Sequence, residues 1–315
     1  MRQRHKELAR CSLHGFSLGL MTVDIFLSQL GTAFAQDASE ASVQALGAAA
    51  QVSGPKEGAL DIPGEENAED ADNNGTDPTR PQRSFEVRFR YQSSSGASTR
   101  TDQKTTFLRI SNRLDLDADW KIAALVQLPI VAKTTTTPDP SDTDHEFGVG
   151  DPAFQAALIR TFDKDSALEF GARLVAPTAE DNLGSGKWQI MPGVGMRYSL
   201  PALGPDSYFV PAIRYAVSFA GDPSRRNISQ PQIAPTLNLG LTDRWFVTLY
   251  PSYDIRVNLG DPVSGQTGRL FLPFDAAVGR NLTDNLVALI EVSVPIIKDY
   301  PVYDFKIEGR LALKL

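Results

Sequence analysis

Cysteine is nearly absent from this 315-residue chain, and Cys11 stands alone. It is preceded by Arg10 and followed by an apolar stretch, the reverse of the order a lipidated cysteine needs. Disulfide scaffolds, cysteine nucleophiles and zinc–thiolate centres are therefore excluded from the rest of the chain. Histidine is almost as scarce: beyond His5 and His14 there is only His145, in the polar run SDTDHE at 141–146. A hydroxyl nucleophile needs a near-neutral base beside it, so no enzyme is expected. His145 with Asp142, Asp144 and Glu146 is read as a solvated loop, a weak cation site being the alternative, and no metal is expected. Basic excess is lacking too, with 31 Lys and Arg against 38 Asp and Glu, which leaves no footprint for nucleic acid. Beyond the first 35 residues no apolar run reaches 18, so no helical membrane span follows. GSGKW at 184–188 lacks the first glycine of a phosphate loop and has Trp188 where Ser or Thr belongs, so no cofactor is expected.

What is present begins with a basic terminus, MRQRHKELAR. An apolar stretch follows and ends in Ala33-Phe34-Ala35. This predicts a secretory signal over residues 1–35, cleaved after Ala35. Asp24 interrupts it, and an uncleaved anchor is the alternative. Residues 36–83 are acidic and rich in Pro, Gly and Asn, with too little apolar surface for a core. They are predicted to be a flexible periplasmic segment, with the Ala-rich stretch 38–52 as a possible short helix.

From Ser84 onward the chain alternates. RSFEVRFRYQSS places Phe85, Val87, Phe89 and Tyr91 at every second position, with Glu86, Arg88, Arg90 and Gln92 between them. Successive side chains of a strand point to opposite faces, so this is a strand signature. Twelve such segments start at Ser84, Lys104, Trp120, Phe147, Ser166, Lys187, Ser207, Gln230, Trp245, Gly268, Asn285 and Tyr303. Short turns (DAD, DKD, TDR, NLTD) alternate with long polar loops such as TTTTPDPSDTDHE and AGDPSRRNISQ. The pattern predicts an all-β fold: a closed antiparallel transmembrane barrel of about 12 strands in an up-and-down meander, over residues 84–315.

Segments of about ten residues or more fit a tilted crossing of a bilayer, whereas strands of soluble domains average five or six. Closure satisfies the backbone polar groups that an open sheet would expose to lipid. The apolar face is therefore assigned to lipid. Trp120 and Trp245 follow short turns, while Tyr91 and Trp188 sit beside long loops, as two aromatic girdles would. The polar face becomes the lumen, with candidate lining residues Arg88, Arg90, Arg109, Arg113, Arg173, Arg197, Arg214, Arg256, Arg310, Glu169, Asp254 and Glu291. That interior leans basic although the whole chain carries −7. A wall-bracing salt-bridge network and a bias toward anions are both consistent with it.

FGVGDPAFQAALI (147–159) and GSGKWQIMPGVGMRYSL (184–200) resemble the Gly-x-Gly-Asp and Gly-x-Gly elements of an outer-membrane barrel family. That family is labelled for the meta-pathway of phenol degradation and is related to the channel exporting functional amyloid subunits. Mid-strand prolines, among them Pro129, Pro192, Pro235 and Pro273, fit the same family. The resemblance implies an outer-membrane channel or transporter for small solutes, with anionic compounds suggested by the lumen and aromatic compounds by the family label as the candidates, and its partners are lipid, solute and the barrel-assembly machinery. Both barrel termini would be periplasmic, and a homo-oligomer is left open. Residues 36–83 are too short for the coiled coil and helical plug of the amyloid exporters, and the chain ends in LALKL without the usual terminal aromatic. The alternatives are a polypeptide channel gated by the N-terminal segment and a non-conducting structural barrel.

Overall fold

The computed structural model describes residues 73–315, apart from 97, 140, 141, 181, 242 and 243. The expected signal and the Ala-rich stretch 38–52 lie outside the described residues. Fourteen strand segments occur: β1 (Ser84–Ser95), β2 (Arg100–Asp115), β3 (Trp120–Thr136), β4 (Thr143–Val149), β5 (Ala153–Thr161), β6 (Ser166–Val175), β7 (Lys187–Ser199), β8 (Tyr208–Gly221), β9 (Ser229–Gly240), β10 (Trp245–Leu249), β11 (Ile255–Val257), β12 (Leu270–Asn281), β13 (Leu286–Lys298) and β14 (Phe305–Lys314).

They make twelve staves. β4 and β5 both pair with β3 and form one stave broken at 150–152. β10 and β11 both lie between β9 and β12 and form another, broken at 250–254. Each stave pairs antiparallel with its neighbours in sequence, and β1 pairs with β14 from Ser84↔Lys314 to Ser93↔Phe305. The sheet is thereby closed as a 12-stranded up-and-down barrel, as the alternation predicts. Closure leaves no unpaired edge.

The faces divide as the pattern requires. Phe85, Phe89, Val126, Phe154, Ile190, Val194, Phe274 and Val292 are exposed on the outer wall. Glu86, Thr105, Gln189, Gln232, Glu291 and Glu308 are buried inside. The short turns close themselves through side chains. Asp117 accepts from the backbone N–H groups of Asp119 (2.9 Å) and Trp120 (2.8 Å). Asp163 does the same for Asp165 (2.8 Å) and Ser166 (2.7 Å). These bonds, the one from Asp165 N–H foremost, hold the Asp163 carboxyl below the usual range.

Three features differ from the sequence expectation. β2 and β3 run to 16 and 17 residues. Their hairpin, with β4, continues through Thr134–Thr136 and Thr143–Glu146, which the sequence reads as loop. The apolar alternation stops where the wall leaves the apolar zone, but backbone pairing goes on. The stave beginning at Trp245 is broken rather than continuous. Last, residues 73–83, grouped by composition with the flexible segment, pack against inward-facing barrel residues: Asn73, Asn74, Asp77 and Thr79 are all buried.

Candidate functional site

An interior cavity of about 620 Å³ lies within the barrel, its lining including Asn74–Asp77 at the short-turn end and Arg226 and Ile228 at the long-loop end. Among the described residues, ten basic side chains line it against seven acidic ones.

One wall is a lattice of ion pairs on β1, β2 and β14. Neighbouring strands bring alternate inward residues level with each other, Arg88 opposite Arg310 and Arg90 opposite Glu308. Like charges facing each other would repel, so two carboxylates are threaded among the arginines. Glu86 takes Arg88, Arg310 and Arg109, the last at 2.6 Å. Glu308 takes Arg88 at 3.1 Å and Arg90 at 2.6 Å. Arg90 also stacks over Phe107 with 4.8 Å to the ring centroid.

A second knot forms where the β10–β11 stave breaks. Tyr250 adopts φ 51°, a strained angle for a bulky residue. Its N–H donates to Asp275 O (2.9 Å) and its carbonyl accepts from Thr236 Oγ1 (2.8 Å). The next four residues turn inward. Asp254 meets Lys306 Nζ at 2.5 Å and Arg256 at 2.5 Å, and accepts from Tyr303 Oη at 3.0 Å. Lys306 also meets Glu291, which accepts from Ser252 Oγ at 2.9 Å. Asp275 completes a group of three buried carboxylates, with its oxygens 3.8 Å or more from Lys306 Nζ and no hydrogen bond. The cationic Lys306 ammonium sits where a metal would, so the group is a charge knot.

A third set holds the chain ahead of β1 across the short-turn mouth. Asp77 pairs with Arg197 at 2.8 Å, both side chains being at most 4% accessible. Asn74 Nδ2 donates to Asn238 Oδ1 (3.1 Å), Arg310 donates to Gly75 O (2.9 Å), and Thr76 bonds Tyr208. These partners stand on β7, β8, β9 and β14, so the segment bridges the lumen from one side to the other.

Of the sequence candidates, Arg88, Arg90, Arg109, Arg173, Arg214, Arg256, Arg310, Glu169, Asp254 and Glu291 line the cavity. Arg197 lies behind residues 74–82, and Arg113 sits near the short-turn end of β2, 3.3 Å from Asp115. Trp120 and Trp245 stand at the short-turn end beneath Arg160 (5.4 Å) and Arg280 (5.3 Å). At the other end Trp188 packs near Phe219 (6.4 Å), and Tyr91 donates to Asp102 (2.6 Å). His145 Nδ1 lies 3.1 Å from Thr134 Oγ1, exposed on the β3–β4 extension.

The sequence motifs find structural work. In Gly148-Val149-Gly150-Asp151 the stave breaks, and Asp151 accepts from Ala179 N (3.2 Å), Ser185 N (2.7 Å) and Ser185 Oγ (2.8 Å), pinning the 176–186 loop. A Cβ on Gly148 would lie 2.4 Å from the Glu180 carboxylate, so any larger residue there would make that side chain move aside. Residues the sequence reading missed include Asp77, Asn74 and Tyr253; the Asn-Gly-Thr-Asp-Pro-Thr run, with its Asx-turn chemistry, was the available signal.

A closed 12-stranded meander with apolar residues outward and charged residues inward defines an outer-membrane β-barrel. The profile of the family described as "Putative MetA-pathway of phenol degradation" matches residues 72–254, more than half of the chain, and the protein belongs to that family. Among solved structures, the COG4313 outer membrane channel from Pseudomonas putida F1 is similar, with TM-score 0.60, 14% identity, and 74% of this chain and 96% of that one covered. The β domain of the Bordetella autotransporter BrkA (TM-score 0.49, 11% identity, 74% and 99% covered) is more distant. So is the KdgM porin (TM-score 0.41, 12% identity, 73% and 99% covered). Comparison with curated proteins gives no match.

Proposed function

We propose that the protein is an outer-membrane channel for small anionic solutes, with residues 73–83 seated as a plug at its periplasmic mouth. The observation that carries this reading is the lumenal charge: three more basic than acidic side chains line a cavity in a chain whose overall charge is −7. Arg173 and Arg214 have no carboxylate partner among the described residues, so part of that excess is not consumed in bracing the wall. A charged lining of one sign favours the opposite ion during passage. In this reading a signal at 1–35 directs export, the barrel-assembly machinery inserts the chain, and both barrel termini face the periplasm.

The test is the zero-current potential of the purified full-length protein in a planar bilayer under a KCl gradient. A potential of the sign set by chloride supports the reading. A potassium-selective potential, or folded barrels that never conduct, overturns it. The plug favours a second reading, a polypeptide channel that opens when residues 73–83 leave, and release of a partner polypeptide dependent on this protein would separate the two.

A further inference from the structure

Arg173 on β6 and Arg214 on β8 flank β7, the first opposite Met191 and the second opposite Gly193. Two interstrand steps of about 4.8 Å place their strands roughly 10 Å apart. That is close enough for two long side chains to converge on one small ion. The space between them is kept open by Gly193. A Cβ there would come within 2.9 Å of the Arg214 Cβ, so any other residue would crowd the arginine.

The two guanidiniums differ from every other one in the ion-pair lattice. Arg88, Arg90, Arg109, Arg256 and Arg310 all hold carboxylates. Arg173 makes no hydrogen bond or ion pair among the described residues, and the charges bearing on it are those of Arg214, Arg88 and Arg90, all cations. Arg214 is fixed but not neutralised: its Nε donates to Gln232 Oε1 (2.6 Å) and its plane lies 4.3 Å from the Tyr253 centroid. That leaves its terminal N–H groups uncommitted to any carboxylate. Gln155 stands opposite Arg173 on β5 and adds a neutral donor. The one acid on the same face of β6, Glu169, is four residues away, about 13 Å along the strand. The anion whose charge reaches Arg214 is Asp254, and that carboxylate is already in contact with Arg256 and Lys306. Two cations near each other with no carboxylate in contact call for an anion, and guanidinium forks match planar or tetrahedral oxyanions.

We propose that Arg173 and Arg214 form a discrete binding site for one small doubly charged oxyanion, such as a sulfate, a phosphate or a compact dicarboxylate. The proposal deepens the anion-channel reading and rests on it for the positive lumen. It adds a stoichiometric site where that reading needs only a mean field.

Equilibrium dialysis of radiolabelled sulfate against the detergent-solubilised full-length protein tests it, with the compact unboiled band on a gel confirming a folded barrel. The expected result is about one sulfate per barrel, displaced by phosphate and succinate and far less by acetate. Arg173→Gln should weaken binding about tenfold or more, the worth of one charged hydrogen bond. Should that variant not fold, Arg214→Gln, which keeps Gln232 and Tyr253 in place, is expected to give the same loss. Binding well below one equivalent, or binding unchanged in the folded variants, overturns the site. A chloride-selective potential without stoichiometric binding would remove the site and leave the channel reading standing. Stoichiometric binding with potassium selectivity would do the reverse.

Discussion

Lys306 sits with its side chain only 1% accessible among Asp254, Glu291 and Asp275, whose side chains are 6% accessible or less. An ammonium taken from water recovers its hydration only through close charged partners, and it has two, with Asp275 farther off. Replacing it would leave three carboxylates without their shared cation. Lys306→Met is therefore expected to destabilise the folded barrel by about 3–5 kcal/mol, read as a shift in the urea midpoint of tryptophan fluorescence in micelles. Asp275 behaves oppositely. Its oxygens accept no hydrogen bond and face two other carboxylates. Asp275→Asn keeps the shape while removing a carboxyl that faces two others, and is expected to change stability by less than about 1 kcal/mol, or to raise it. Equal losses in the two variants would show that the knot acts as a single unit instead of a cation serving two principal acids.

At the scale of elements, residues 73–83 hang on the Asp77–Arg197 pair more than on their neutral hydrogen bonds, because both charges are enclosed. Asp77→Asn keeps the shape and leaves Arg197 uncompensated, at a cost of about 3 kcal/mol to the seated state. Residues 73–83 should then leave the mouth more often, and single-channel recordings of the full-length variant should show an open probability raised about a hundredfold from a mostly closed parent. Identical recordings for parent and variant would mean that the segment is a fixed part of the wall. The same segment shows what composition can and cannot tell. Its acidic, Pro- and Asn-rich sequence says that it cannot build a core of its own, and that is true. It does not say whether another element supplies polar partners, and here β7, β8, β9 and β14 do. The staves themselves were legible because alternation is set by each strand's own two faces. The inward break at 250–254 was not, because Tyr-Pro-Ser-Tyr-Asp alternates as well as a strand does and only the knot around Asp254 decides otherwise. Likewise the sequence places arginines on the lumenal face, but which of them are neutralised depends on register between strands far apart in the chain, as Arg90 opposite Glu308 shows.

The whole molecule separates its charge by surface. The chain carries −7, yet its cavity is lined by three more basic than acidic groups, so the negative balance resides elsewhere in the chain. Two consequences of such a layout pull apart with salt. If selectivity comes from the lumenal field as a whole, it is screened as the Debye length falls from about 10 Å at 0.1 M to about 3 Å at 1 M. Chloride-over-potassium selectivity should then fall toward unity across that range. If instead it comes from direct contact at Arg173 and Arg214, screening reaches it less, because ions at contact distance leave no room for an intervening atmosphere. The expected outcome is therefore a two-part curve: a salt-dependent share lost by 1 M KCl, and a residual preference that persists in the parent. In Arg173→Gln the residual share should vanish while the salt-dependent share shrinks by only the one charge removed. Zero-current potentials of parent and variant at 0.1 M and 1 M KCl separate the two terms. A parent whose preference disappears completely at 1 M would assign selectivity to the field alone.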